Sequence, residues 1–193
     1  EPEPLVPRRH RIEIKERIGS DGRVVTALDD VDILEAVSKV KASGAKACAV
    51  GLLFAFLNPE HERRVAIFDL LENNYFKPVS LPEGPYAIDL SVEENRLNLV
   101  VRNQDKSAEL GKLVIQLRAF RRIIRDYFLI CESYYTAIKD SSLSQIEAID
   151  MGRRGLHNEG ADLLKETLAA EVAVDGQTAR RLFTLLCVLH IRG

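Results

Sequence analysis

The densest polar cluster in the chain is Gly152-Arg-Arg-Gly-Leu-His-Asn-Glu-Gly160. Arg153 and Arg154 are the residue types that hold phosphate or carboxylate through charge-assisted hydrogen bonds. If the glycines end one helix and Asn158 caps the next, the open N–H groups of that helix start join the same anion site. His157 near Glu159 is also a candidate acid–base pair. A third reading is structural. The segment is then a tight helix–helix turn whose Arg and Glu side chains make surface ion pairs.

Arg118, Arg121, Arg122 and Arg125 form the second feature, with no acid among them. At helical spacing they share one face. Such a stripe is either a solvated face, a contact for phosphate or nucleic acid, or a contact for a protein partner. Phe120, Tyr127, Phe128, Tyr134 and Tyr135 lie beside it mostly at core spacing. That disfavours a stacking platform for bases, so nucleic acid is the less favoured partner. His61 and His190 lack a second ligand at helical spacing, His10 lies in the Pro-rich lead, and all three read as structural or solvent-facing.

No dinucleotide or phosphate-binding glycine loop, zinc-protease helix, nucleophile elbow or calcium loop occurs. Ser38-Lys-Val-Lys41 matches S-x-x-K without its companion motifs and reads as an exposed helix face. Cys48, Cys131 and Cys187 are odd in number, widely spaced and set among apolar neighbours. They read as reduced, buried thiols rather than disulfides or zinc ligands. No catalytic residue, metal or cofactor is assigned on these grounds.

A chain of 193 residues, 46% hydrophobic, with net charge −2, is expected to be soluble and globular, as one large domain or two small ones. No apolar run approaches the roughly 20 residues of a membrane span. The pI of about 6.2 gives no global pull toward nucleic acid or anionic lipid. Residues 1–18 lack an apolar signal core, which with the thiols points to the cytoplasm. The single methionine is Met151, so the sequence opens at Glu1 without an initiator. This suggests a fragment, a processed product or a joined chain.

The elements that must position these residues can be read in order. Residues 1–10 form an extended, Pro-rich lead. Arg11–Ile18 alternates as a strand, and Ser20-Asp-Gly22 turns it toward Val24-Val25. Asp32 with Glu35 opens a helix with Ile33, Leu34, Val37 and Val40 on one face, ending near Gly44. Ala47–Phe54 is a continuous apolar run and predicts a buried strand. Asn58-Pro59-Glu60 starts a second helix that stops near Asn73-Asn74. Strands over 86–92, 96–102 and 113–117 suggest an antiparallel meander. Phe120 to Ile138 has helical spacing, and Ser144-Gln-Ile-Glu147 caps a further helix ending by Gly155. Two more helices are expected over about 158–171 and 175–190. The fold class is α+β: a short antiparallel sheet followed by a C-terminal bundle of about four helices, preceded by a small strand-helix-strand segment.

Two resemblances overlie this reading. Glu3-Pro-Leu-Val-Pro-Arg8, Glu16-Arg-Ile18, Asp21-Gly-Arg-Val24, Leu28-Asp29, Ala49-Val-Gly-Leu-Leu53 and Phe56-Leu-Asn-Pro-Glu-His-Glu62 resemble an internal stretch of the hydantoinase A/5-oxoprolinase family. That resemblance covers residues 1 to about 64. It implies an actin-like nucleotide fold that hydrolyses cyclic amides with ATP, although no catalytic residue of that family falls in this stretch.

His61-Glu-Arg63, Val65-Ala-Ile-Phe-Asp-Leu-Leu71, Gly84-Pro-Tyr86 and Glu94-Asn-Arg-Leu97 carry the second resemblance. It continues through Phe120-Arg-Arg-Ile123, Asp126–Tyr135, Gln145–Gly160 and Thr178–Leu185. These resemble a small uncharacterised protein family of alphaproteobacteria, which brings no activity with it. The expected organisation is a hydantoinase/oxoprolinase-like fragment over 1–58 and an α+β domain over 59–193, joined at a seam. The expected function is a non-catalytic binding or regulatory module with an anion or phosphate site at the Gly152–Gly160 turn. The expected partner is a small anion or a protein, and no membrane. The alternatives are a catalytically incomplete cyclic-amide hydrolase fragment, or nucleic-acid contact through Arg118–Arg125.

Overall fold

A computed structural model describes residues 10–44, 50, 52, 58 and 60–190. They fall in two compact units, one up to Phe68 and one from Asp69 to residue 190.

In the first unit, β1 (Arg17–Ile18) pairs antiparallel with β2 (Val24–Thr26). Gly22 takes φ +78° in the connecting turn, and the Asp21 carboxylate accepts from the Arg23 N–H. Only the last two residues of the strand expected over 11–18 enter this ladder. A two-stranded ribbon offers too few partners to extend further. Helix α1 spans Asp30–Ala42, and its cap is Asp29, whose carboxylate accepts from the Val31 N–H at 2.9 Å. The helix therefore starts ahead of Asp32. Its buried positions are Ile33 and Ala36, whereas Leu34 is exposed. Helix α2 spans Glu60–Glu72, and the Asn58 side chain accepts from the Glu60 N–H as expected of a cap. The strand expected over Ala47–Phe54 lies almost wholly outside the described residues.

The second unit holds an antiparallel meander of β4 (Tyr86–Glu93), β5 (Arg96–Asn103) and β6 (Glu109–Gln116), in the order β4-β5-β6. The β4–β5 turn uses Glu94 and Asn95 at φ +45° and +67°. Two central residues with positive φ match the twist of the strands they join. Alternation turns Leu97, Leu99, Val101, Leu113 and Ile115 to the core. A 3-10 turn over Leu117–Phe120 leads into α3 (Arg121–Asp140) and α4 (Leu143–Leu168). After α4 come β7 (Val172–Val174) and α5 (Gly176–His190). β7 was not expected. It pairs antiparallel with β3 (Phe76–Pro78), which also comes unannounced from a Pro-containing segment. The class is α+β as read from the sequence.

The main departure is α4. It runs unbroken for 26 residues where two helices and a turn were expected, so the bundle has three helices rather than four. Its cap is Ser142, which closes a reciprocal capping box with Gln145. The box is two residues earlier than the one expected at Ser144. The glycines read as breakers serve packing instead. A Cβ on Gly160 would lie 2.2 Å from a ring carbon of Phe183 on α5, and one on Gly152 would lie 2.8 Å from Ile130 on α3. Glycine in a helix interior costs about 1 kcal/mol in propensity. Burial of Phe183 and its neighbours outweighs that, at roughly 2–3 kcal/mol for each large apolar side chain. Phe120, Ile124, Leu164, Phe183 and Leu186 form the centre of the core.

Candidate functional site

The Gly152–Gly160 residues occupy the middle of α4, so no helix start opens there. Asn158 is exposed in mid-helix and caps nothing. The two arginines share one acid. Arg153 donates from Nε and Nη2 to Asp150 Oδ1 at 3.0 and 2.7 Å, and Arg154 Nη2 lies 2.5 Å from Asp150 Oδ2. The guanidinium of Arg153 also sits over the Tyr134 ring, 5.6 Å from its centroid. Burial pushes the Asp150 carboxyl up, but the two guanidiniums hold it below the usual carboxylate range.

His157 points inward and is buried. Its ring meets Tyr127 and Phe183 edge-on, at 5.4 and 5.2 Å between centroids. Its Nε2 lies 3.0 Å from Thr184 Oγ1. The Thr184 hydroxyl spends its one hydrogen on the Arg180 carbonyl, at 3.1 Å. It can therefore only accept from His157, which places the imidazole hydrogen on Nε2. Nδ1 then carries a bare lone pair, and it has no hydrogen-bond partner among the described residues. Burial, assisted by the nearby Arg180 and Arg153 charges, lowers the His157 pKa to about 4. The ring is neutral at pH 7. Glu159 is turned outward, with Oε1 3.9 Å from Arg122 Nη2 on α3. The structure thus does not bring His157 and Glu159 together as an acid–base pair.

The second feature spans two elements. Arg118 on the 3-10 turn and Arg121, Arg122 and Arg125 on α3 are all exposed. Arg121 donates to the neutral Asn95 side chain at 3.0 Å, Arg125 pairs with its neighbour Asp126 at 3.1 Å, and among the described residues Arg122 has the long contact to Glu159. Beneath the stripe, Phe120 is buried and Tyr127 and Phe128 are half-buried. No aromatic platform accompanies the arginines among these three.

A buried polar constellation that the sequence did not advertise lies in the first unit. His61 Nδ1 is 2.6 Å from Glu16 Oε2, and its Nε2 accepts from the Leu28 N–H at 3.3 Å. Arg64 donates to the Leu28 carbonyl and, at 2.6 Å, to Asp30. Burial, then the Glu16 charge, raises the Glu62 pKa. Both His61 nitrogens are engaged, so the ring ties the residues just before β1 and just after β2 to α2. Its one signal in the sequence is that Glu16 falls at the inward parity of Ile12, Ile14 and Ile18 in the 11–18 alternation.

Cys187 is buried and Cys131 half-buried, and burial pushes both thiols up, away from the thiolate form. Cys48 lies outside the described residues. Among the described residues no group of three or more His, Cys, Asp or Glu is placed to hold a metal ion. No described helix is long and apolar enough to cross a membrane.

These features define an α+β protein with a meander sheet, a three-helix layer, and polar groups on α4 committed mostly to internal pairing. In sequence the chain belongs to the uncharacterised protein family UPF0262, whose profile matches residues 52–192. A family member from Paramagnetospirillum magneticum is 58% identical over 134 residues, covering 69% of this chain and 85% of the relative. One from Rhodospirillum rubrum is 59% identical over 135 residues, covering 69% and 82%. One from Caulobacter vibrioides is 54% identical over 142 residues, covering 74% and 87%. Residues 2–69 also match the hydantoinase/oxoprolinase N-terminal region. No solved structure matches the chain significantly.

Proposed function

We propose that this chain is a non-catalytic, cytoplasmic binding module that recognises an anionic partner through the arginine stripe Arg118, Arg121, Arg122 and Arg125. The anion is a small phosphate-type ligand or an acidic protein segment. The supporting observation is the contrast in neutralisation. Arg153 and Arg154 are occupied by Asp150, whereas among the described residues the stripe holds four exposed guanidiniums against one neighbouring Asp and one distant Glu. Exposed arginines with unspent donors suit bidentate recognition of phosphate or carboxylate.

This reading moves the anion site away from the Gly152–Gly160 segment, where Glu159 remains as the acid facing Arg122. The test is titration of the full chain with inorganic phosphate, ATP and a polyglutamate peptide, followed by thermal shift and by backbone amide shifts. Binding lost in a combined Arg118→Ala, Arg122→Ala, Arg125→Ala variant, and kept in Arg153→Ala, supports the stripe. No response to any of the three probes overturns it. Binding to duplex DNA alone, falling steeply with salt, returns the choice to nucleic acid.

A second reading rests on the match of residues 2–69. In it, residues 1–58 are a hydantoinase-like segment joined to a domain over 59–193, with the two family matches overlapping at 52–69. Assay with ATP plus 5-oxoproline or hydantoin is expected to give no turnover, because no catalytic constellation of that family is placed in the segment. Turnover reverses this. DNA sequence across codons 55–70 tests the join.

A further inference from the structure

One row of side chains on the sheet stops being buried within a single strand step. The β4–β5 register places Val92 opposite Leu97, Leu90 opposite Leu99 and Ile88 opposite Val101. Opposed residues in an antiparallel pair share a face, so all six lie on the core side. The β5 members are at most 5% exposed, whereas Ile88, Leu90 and Val92 are 36%, 36% and 47% exposed. The helices therefore cover β5 and leave the apolar row of β4 partly open.

The edge beyond that row is intact. Among the described residues β4 pairs with β5 alone. Its register runs through eight consecutive pairs without a bulge, and it contains neither Pro nor Lys. The opposite edge strand, β6, is interrupted by a bulge and carries Gly111 and Lys112. Bulges, Pro and Lys are the usual means by which an edge is kept from pairing. β6 has two of these and β4 has none.

We propose that β4 is a self-association edge, pairing antiparallel with β4 of a second copy about a two-fold axis through Leu90. The charges select both occupant and register. With Leu90 opposite itself, Ile88 faces Val92 of the second copy, and the apolar row continues across the axis. On the other face Asp89 then lies opposite Ser91, and Glu93 opposite Ala87. Sliding the pair by one step that keeps the faces matched sets Asp89 opposite itself, or Asp89 opposite Glu93. Both place like charges directly across, which destabilises a strand pair. Any odd step turns the apolar row of one copy onto the polar face of the other. One register thus satisfies both faces, and it is the self-complementary one that a closed dimer requires. The product is a six-stranded sheet with no free β4 edge.

Sedimentation equilibrium on the full chain tests this. The wild-type chain is expected to dimerise. Leu90→Glu sets two carboxylates against each other on the axis and is expected to leave a monomer. Ser91→Lys and Ser91→Asp decide the matter without touching the apolar row. Lys at 91 meets Asp89 twice per dimer, so its Kd falls by roughly 2- to 30-fold, while Asp at 91 raises it by a similar factor. Unchanged far-ultraviolet circular dichroism shows that each variant is folded. A wild-type chain still monomeric near ~1 mM overturns the proposal, since an association that weak gains only about 4 kcal/mol. So does a dimer whose Kd ignores both Ser91 substitutions.

Discussion

The two units each bury a histidine on a helix, and each uses the ring's nitrogens differently. In the first unit, His61 is gripped on both sides, by the Glu16 carboxylate and by the Leu28 N–H. In the second, His157 is held on one side only, by Thr184, and is otherwise wrapped in the rings of Tyr127 and Phe183. The first ring works as a polar clamp, set beside the buried Ile18 and Leu28. The second works as a flat core side chain whose polarity is tolerated because one nitrogen is satisfied and the charge is suppressed. A buried histidine is therefore defined by what its two nitrogens meet, and the residue type alone says little.

Five changes test this contrast, in falling order of effect. Gly160→Ala drives a methyl into the Phe183 ring, which has no exposed surface into which to retreat. It should cost at least about 3 kcal/mol in urea unfolding, because overpacking here exceeds the gain of about 1 kcal/mol in helix propensity. The wrap around His157 would prove pliable if the loss were small.

The second change is pH. His157 binds its proton less readily folded, at a pKa of about 4, than unfolded, at about 6.5. The unfolded chain thus takes up protons first as pH falls from 6.5 to 4, and stability drops across that window. The expected loss is roughly 3 kcal/mol between pH 7 and pH 4. His157→Leu should flatten that part of the stability–pH curve, and ring NMR should show the Nε2–H tautomer at pH 6.

Third, Glu16→Ala strands the buried Nδ1–H of His61 and should destabilise the first unit by about 2 kcal/mol. Glu16→Gln keeps an acceptor and should cost less. Thr184→Val leaves His157 Nε2–H without its acceptor and should cost about 1 kcal/mol. It should also move the imidazole nitrogen shifts. Smallest, and opposite in sign, Gly155→Ala meets nothing within 4 Å on α4. It should stabilise by roughly 0.5–1 kcal/mol if that stretch is helix rather than turn.

Local signals were legible where a few residues decide the outcome. The Asn58 cap, the meander strands and the helical face of α3 follow from neighbouring residues alone. The continuity of α4 is not legible because Gly152, Gly155 and Gly160 all weaken a helix locally, while the close packing that favours glycine at 152 and 160 comes from Ile130 and Phe183, residues distant in sequence. The same limit hid β3 and β7. Three-residue strands carry too little periodicity, and Val172 and Val174 are buried by partners almost a hundred positions earlier. At the candidate site, the exposure of Arg121, Arg122 and Arg125 was legible because helical spacing turns them away from the apolar positions of α3. The commitment of Arg153 and Arg154 was not, since nothing in the sequence marks Asp150 as the acid they share. The roles of His61 and His157 depend on Glu16 and Thr184, which no motif links to them.

The β3–β7 ladder also orders events in time. It joins Phe76–Pro78 to Val172–Val174, and Tyr75 N–H, Asp69 and the Asn73 carbonyl reach the same end of the chain through Thr178 and Arg181. During synthesis, the opening residues of the second unit wait for nearly its whole length before their partners exist. The sheet hairpins and the α3–α4 hairpin close over short loops and form while the chain is still growing. The seal between the two ends comes last, so an early stop anywhere before α5 leaves the entire unit unlatched rather than merely shortened.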